Sequence, residues 1–251
     1  MTEAQMSRLY ADWLRAKAYK TGLPIPHVCG ASGFGYSDTD ICPACEDLMN
    51  SFPTIGIRGD FGAGKDEVAK VMVEEFGYTR FAFGDDLKTQ EVEVLNDPDY
   101  RDEVWDEMPE SARDAVLTCL ALAQLDPFAK PITPEMRELH QQYGTDFRRA
   151  QDPDYWVKKT ASRVKQLRPS RVFFSDLRFR NEVEYVRNRG GLVWEVVRPK
   201  GGYAYDRRLN GHRSERELDG VVSDAVILND GTLADLCRRV RREMGQLRKA
   251  A

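Results

Sequence analysis

Cysteine is scarce in this chain of 251 residues: there are five, an odd number, and Cys119 and Cys237 fall inside helix-like patterns where a buried thiol is the default. That excludes a disulfide framework. No apolar run approaches the roughly 18 residues of a membrane span. The first ten residues, MTEAQMSRLY, carry acidic and polar side chains where a signal peptide needs an apolar core. A cytoplasmic protein that engages no membrane is therefore expected. Positive charge is also lacking, with 37 Lys and Arg against 41 Asp and Glu for a net charge of −4, so attraction to phosphate has to be local and a general nucleic-acid surface is not expected. There is no internal repeat. What is present is an ordinary globular composition, 41% hydrophobic and 31% charged, in a chain long enough to bury a core as one large α/β domain or as a core with an appendage.

The stretch around which the rest is organised is Gly59-Asp60-Phe61-Gly62-Ala63-Gly64-Lys65-Asp66. It follows an apolar segment, Thr54–Arg58, that reads as a buried parallel strand, and it precedes a helical pattern with Val68, Val71, Met72 and Phe76 on its inner face. The spacing is that of a phosphate-binding loop. Its glycines permit the backbone angles that turn successive N–H groups inward, and the helix N-terminus adds its positive dipole. Lys65 would reach the outer phosphates of a nucleotide, and Asp66, standing where Ser or Thr is usual, offers a carboxylate to magnesium directly or through water.

Ahead of the loop, residues 3–19 predict a helix with one apolar stripe (Met6, Leu9, Tyr10, Trp13, Leu14, Ala18). Cys29, twelve residues and then Cys42-Pro43-Ala44-Cys45 follow. The CxxC pair has the spacing of one corner of a tetrahedral zinc site, with Cys29 and His27 available to complete it; the bland alternative is a set of reduced cysteines. A boundary near residue 50 separates this appendage (1–50) from a catalytic domain (51–251).

Within that domain, strands and helices alternate. Tyr78–Phe83 reads as a second strand, with Gly84-Asp85-Asp86-Leu87-Lys88 at its carboxyl end, where open α/β sheets place ligands. Lys88 either faces an acceptor phosphate or is a solvated first-turn lysine. Residues 90–110 read as acidic and irregular, with a turn at Asn96-Asp97-Pro98, and Ala112–Leu125 as an apolar helix. Thr133 and Pro134 start another helix. After it, Gly144-Thr145 and the paired Arg148 and Arg149 either grip a monophosphate or form a helix C-cap with exposed arginines. Arg171–Asp176 is an apolar strand ending in aspartate, the arrangement of a carboxylate that holds magnesium through water, and Arg178, Arg180, Asn181 and Glu182 follow directly. Leu192–Val197 and Ala225–Leu228 are further strands. Between them, residues 199–219 read as a lid carrying Arg207, Arg208, His212, Arg213, Ser214 and Glu215. The apolar stripe Leu233, Leu236, Cys237, Val240 and Met244 marks a C-terminal helix.

Four stretches together resemble the phage-type deoxynucleoside monophosphate kinase family of P-loop nucleotide kinases. They are Gly59–Asp66 with its GKD ending, YGTDFRRAQDPDYW over 143–156, SDLRFRNE over 175–182, and HRSEREL over 212–218. The resemblance spans 54 to about 245 and leaves the first 50 residues uncovered. It implies a three-layer α/β fold with a doubly wound, mostly parallel sheet. It also implies magnesium-dependent transfer of the ATP γ-phosphoryl group to a deoxynucleoside monophosphate, and a host-cytoplasmic setting if the chain is phage-encoded. Carried onto this sequence, Lys65 and Asp66 fall in the ATP and magnesium site, Asp176 and Arg178 on the catalytic face, and Lys88 and Arg148 on the acceptor side. Asp85, Thr145, Arg178, Glu182, His212, Ser214 and Glu215 are further acceptor-side candidates. Glu67 stands where family members often have Ser or Thr, so a hydroxyl near the α-phosphate is missing. The expected partners are the two nucleotides, with a homodimer compatible. The alternatives are a P-loop kinase of another small metabolite and a nucleotide-sensing nucleic-acid-binding protein.

The zinc expectation is tested by elemental analysis of protein purified without added metal. Near-stoichiometric zinc, lost on Cys45→Ser and released by acid or chelator, is the expected outcome. Little zinc in either protein rejects the site.

Overall fold

The structure, a computed structural model, describes residues 53–122, 126–129, 132–199 and 217–250. The proposed zinc ligands His27, Cys29, Cys42 and Cys45 lie outside these residues, as do His212, Ser214 and Glu215 and most of the expected lid.

Five strands form one parallel sheet in the order β2-β3-β1-β4-β5. They are β1 (Ile55–Arg58), β2 (Thr79–Phe81), β3 (Val172–Phe174), β4 (Leu192–Val197) and β5 (Ala225–Leu228). Parallel strands need crossovers, and most of these are helices: α1 (Lys65–Phe76) joins β1 to β2, and α7 (Arg180–Asn188) joins β3 to β4. Helix α8 (Leu233–Ala250) follows β5. Between β2 and β3 lies a helical block of α2 (Phe83–Asn96), α3 (Pro98–Trp105), α4 (Glu110–Ala121), α5 (Pro134–Gln141), a π-helix (Gln142–Arg149) and α6 (Tyr155–Leu167). Both faces of the sheet are covered, so its strands read as apolar runs rather than alternating ones. Ile55, Ile57, Phe173, Trp194 and Ile227 pack with Val68 and Met72 of α1 and Leu236, Val240 and Met244 of α8. On the other face Phe81, Phe174 and Val193 pack with the helical block, including Val94, Leu139, Tyr143 and Trp156. Cys119 is buried and Cys237 half-buried, both as free thiols. No helix among the described residues is long and apolar enough to cross a membrane.

Two stretches depart from the sequence expectation. The acidic region after residue 90 is helical rather than irregular. Asp97 ends α2, and its side chain accepts from the N–H groups of Asp99 and Tyr100 with Pro98 in the first turn, so one residue closes one helix and caps the next. The second departure is the Gly-Thr stretch, which is no helix C-cap. Helix α5, capped by Thr133 (Met136 N to Thr133 Oγ1, 3.2 Å), runs without a break into the π-helix, and both arginines at its end are buried. Widened i→i+5 turns are rare and concentrate at functional sites. Here Gly144 gives its carbonyl to Trp156 Nε1 at 2.9 Å, which locks the π-helix to α6.

The strand register sets the position of the loop. Ile55 pairs with Phe173 and Gly56 with Phe174, so β1 and β3 end side by side and the residues that follow them, 59–64 and 175–178, emerge together. Gly59, Gly62 and Gly64 take φ values of 150°, 74° and 106°. At Gly59 a Cβ would lie 2.4 Å from the backbone oxygen of Val196 on β4, whereas at Gly62 it would meet nothing within 4 Å. Gly59→Ala is therefore expected to cost on the order of 3 kcal/mol of stability and Gly62→Ala about 1 kcal/mol, by urea denaturation. Equal costs would mean that the loop is not seated on β4.

Candidate active site

Four carbonyl oxygens of the loop are tied down. Lys65 Nζ, at the first position of α1, reaches back to Gly59 O (2.7 Å) and Asp60 O (3.0 Å). Gly62 O accepts from Arg198 (3.2 Å), just past β4, and Ala63 O from Asn229 Nδ2 (2.8 Å), just past β5. With its oxygens committed, the loop keeps its donors and the start of α1 for an anion. Asp176, two residues beyond β3, sits between two cations, with Lys65 Nζ at 3.5 Å and Arg178 Nε at 2.8 Å. Burial alone would push the Asp176 carboxyl up; the Arg178 guanidinium and Lys65 ammonium outweigh it and hold the group at about 2. Asp66 stands in the first turn of α1 on the same wall. Asp66 and Asp176 thus bring two hard oxygen ligands to one place, the donor chemistry that suits magnesium. Among the described residues no group of three or more His, Cys, Asp or Glu forms a metal cluster. Two carboxylates with phosphate oxygens and water are what a nucleotide-bound magnesium ion requires.

The loop is one end of a cleft of about 530 Å³. From β2 and α2 the cleft is lined by Arg80, Asp85 and Lys88, from α5 by Arg137, His140 and Gln141, from the π-helix by Thr145 and Arg149, and from the end of β3 by Asp176, Arg178 and Glu182. Of the residues singled out from sequence, Lys65, Asp66, Asp85, Lys88, Thr145, Asp176, Arg178 and Glu182 are all on this wall. Asp85 pairs with Arg80 at 2.9 Å, and the Lys88 ammonium lies 5.5 Å from the centre of the Phe128 ring. Phe61 projects from the loop with Arg137 of α5 over its ring at 5.5 Å, so the loop and α5 meet across the opening.

Arg148 is turned the other way, and this corrects its expected place on the acceptor side. Its guanidinium donates to the hydroxyls of Tyr143 (3.0 and 3.3 Å) and Tyr100 (3.2 Å). It also lies over the rings of Tyr143, Phe147 and Tyr155 at 5.4, 4.6 and 5.2 Å, so it is held by aromatic faces within the helical block. The next residue, Arg149, takes the cleft position. It stacks 3.7 Å from the centre of the Phe179 ring and pairs with the buried Glu182, with Pro153 O as a further acceptor at 3.1 Å. Glu182 is held from a second side by the N–H groups of Arg178 (2.7 Å) and Phe179 (3.2 Å). Burial pushes this carboxyl above its ordinary value, and Arg149 and the two N–H groups pull against that. Glu182 therefore braces the Arg149 side chain and the backbone at Arg178 while lining the cleft. Sequence reading missed Arg80, Arg137, His140 and Gln141. The arginine pair was a signal for Arg149, but nothing local tells which of two adjacent arginines a widened helix turns to the cleft.

A glycine-rich loop after the first strand, a lysine at the head of the next helix and an aspartate at the end of the adjacent strand define a P-loop nucleotide-binding protein. Residues 110–240, more than half the chain, match the family model described as deoxynucleotide monophosphate kinase, and the chain belongs to that family. A protein of Acanthamoeba polyphaga mimivirus, provisionally named a deoxynucleotide monophosphate kinase, is 26% identical over 192 residues, 74% of this chain and 93% of the viral one. Among solved structures, TT1252 from Thermus thermophilus is 22% identical with a TM-score of 0.43, covering 78% of this chain and 98% of that one. Dephospho-CoA kinase from Campylobacter jejuni is 12% identical with a TM-score of 0.40, covering 79% and 99%. The family match begins at α4, so the loop and α2 stand on their own geometry.

Because the folded value of Asp176 (about 2) lies below its ordinary 3.8, its charge contributes stability that is full above about pH 4 and is lost as the pH falls towards 2. The gap in unfolding free energy between the wild type and Asp176→Asn is expected to stay level from about pH 8 to 5 and to close only below about 4. A gap that closes near pH 6 would mean that the carboxylate is not held between two cations.

Proposed function

We propose that this kinase transfers the γ-phosphoryl group of ATP, with magnesium, to a deoxynucleoside 5′-monophosphate, giving ADP and the deoxynucleoside diphosphate. The observation that carries the reading is a single cleft with the tied loop, Lys65 and Asp176 at one end and Arg80, Arg137, Arg149 and Lys88 along the rest. Its volume is that of a small-molecule site, and its two ends carry separate sets of cationic groups.

The chemistry asked of the protein is modest. An oxygen of the acceptor phosphate forms a bond to the γ-phosphorus while the bond from that phosphorus to the β–γ bridging oxygen breaks and its electron pair leaves with ADP. The acceptor is already an anion, so no general base is required. Lys65, released from the loop carbonyls, follows the charge that shifts towards the bridging oxygen. Arg149, fixed by Glu182 and Phe179, holds the acceptor phosphate in line. Arg178 stands between the two anions and shares its charge with Asp176. Asp66 and Asp176 would hold magnesium, which when bound draws charge from the outer phosphate oxygens.

Lys65→Ala is the direct test. The variant is expected to keep its circular dichroism and to lose on the order of 10³ in kcat, read as ADP release against a panel of deoxynucleoside and ribonucleoside monophosphates. A folded variant with near-normal turnover, or a wild type that phosphorylates no monophosphate, overturns the reading.

A further inference from the structure

One buried charged pair in the cleft wall has no part in the phosphate chemistry. Glu91, on the third turn of α2, is fully buried, and His140, at the end of α5, packs its imidazole against it with Nδ1 2.8 Å from Oε1 and 2.6 Å from Oε2. His140 Nε2 is buried, and it finds no hydrogen-bond partner among the described residues. A buried, unpartnered ring nitrogen is costly, and native proteins keep few such groups without a reason.

The pairing decides which ring nitrogen is left over. Glu91 takes Nδ1 of His140, and Nε2 remains as the ring atom available to a ligand.

Position decides what Nε2 meets. Gly84 and Asp85 begin α2 beside the phosphate end of the cleft, and Lys88 follows one turn later. Glu91 lies seven residues beyond Gly84, about 10 Å further along the axis. That is too far to grip the transferred group and is suited to the other end of a nucleotide. Leu87 and Ile132 supply apolar surface for a flat ring along the same wall. The His140 side chain is 15% exposed and lines the cleft.

We propose that His140, set by Glu91, is a specificity-determining residue at the nucleobase end of the acceptor subsite, where its Nε2 hydrogen-bonds the base edge. The inference rests on the monophosphate kinase reading. A purely structural pair tying α2 to α5 would cost stability when broken without distinguishing one ligand from another.

The test compares wild type, His140→Phe and His140→Gln in steady-state kinetics with deoxynucleoside monophosphates. Competitive inhibition by 2-deoxyribose 5-phosphate, which has no base, and thermal unfolding are measured alongside. His140→Phe is expected to raise KM for the nucleotides about tenfold with kcat nearly unchanged, and to leave the inhibition constant of the sugar phosphate at its wild-type value. His140→Gln, whose amide offers both a donor and an acceptor near the place of Nε2, should recover most of the loss and stands in if the phenylalanine variant does not fold. Wild-type KM in both variants, or an equal loss for nucleotides and sugar phosphate, overturns the inference while leaving the kinase reading intact. A wild type that turns over no monophosphate overturns both.

Discussion

Everything at this site depends on where the oxygen atoms of one loop are allowed to point. A glycine-rich turn can present its N–H groups or its carbonyls, and only the first attracts phosphate. Here the carbonyls of residues 59, 60, 62 and 63 are taken by Lys65, Arg198 and Asn229. Three of those bonds come from cationic groups and are the stronger kind. Lys65 satisfies two carbonyls while facing Asp176, so the lysine that a nucleotide would recruit is also a brace of the loop. A bound phosphate would therefore substitute for interactions the lysine already makes, and the side chain need not be ordered from a free state.

The helical block is organised by a comparable economy. Arg148 and Arg149 are adjacent, equally charged and both buried, yet one serves the core and the other the cleft. Arg148 gathers Tyr100, Tyr143 and Tyr155 from three elements, and Arg149 is held over Phe179 by Glu182 from α7. Adjacent residues on a helix leave it in different directions, so the two guanidinium groups reach different partners. In a chain whose net charge is −4, the cleft still gathers Arg80, Lys88, Arg137, Arg149 and Arg178 along one wall.

The sheet was legible in the sequence because parallel strands covered on both faces are mostly apolar, and Ile55–Arg58 and Leu192–Val197 leave little other reading, while Ala225–Leu228 is apolar although one of its faces is open. The loop, Lys65 and the strand-end Asp176 were legible for a second reason: their chemistry is local, fixed by spacing within a few residues. What escaped was set by distance or register. The helicity of α2 and α3 hung on the reach of one side chain, Asp97, in both directions. The division of labour between Arg148 and Arg149 depends on partners from other elements that no hydrophobic period announces. His140 looks like an ordinary last-turn histidine until Glu91, from another helix, is seen beneath it.

The tie from Asn229 to Ala63 has a mechanical meaning. Asn229 directly follows β5, the last strand on its side of the sheet among the described residues, whose Val226 and Leu228 side chains stand exposed. Edges of sheets fray before centres do, by local opening that leaves the rest folded. When β5 lifts, the amide that restrains Ala63 goes with it, and the loop can turn a carbonyl where it should show an N–H. Heat would then disable nucleotide capture while the central strands and both cores still stand, so that inactivation and loss of helical signal on warming become separate events.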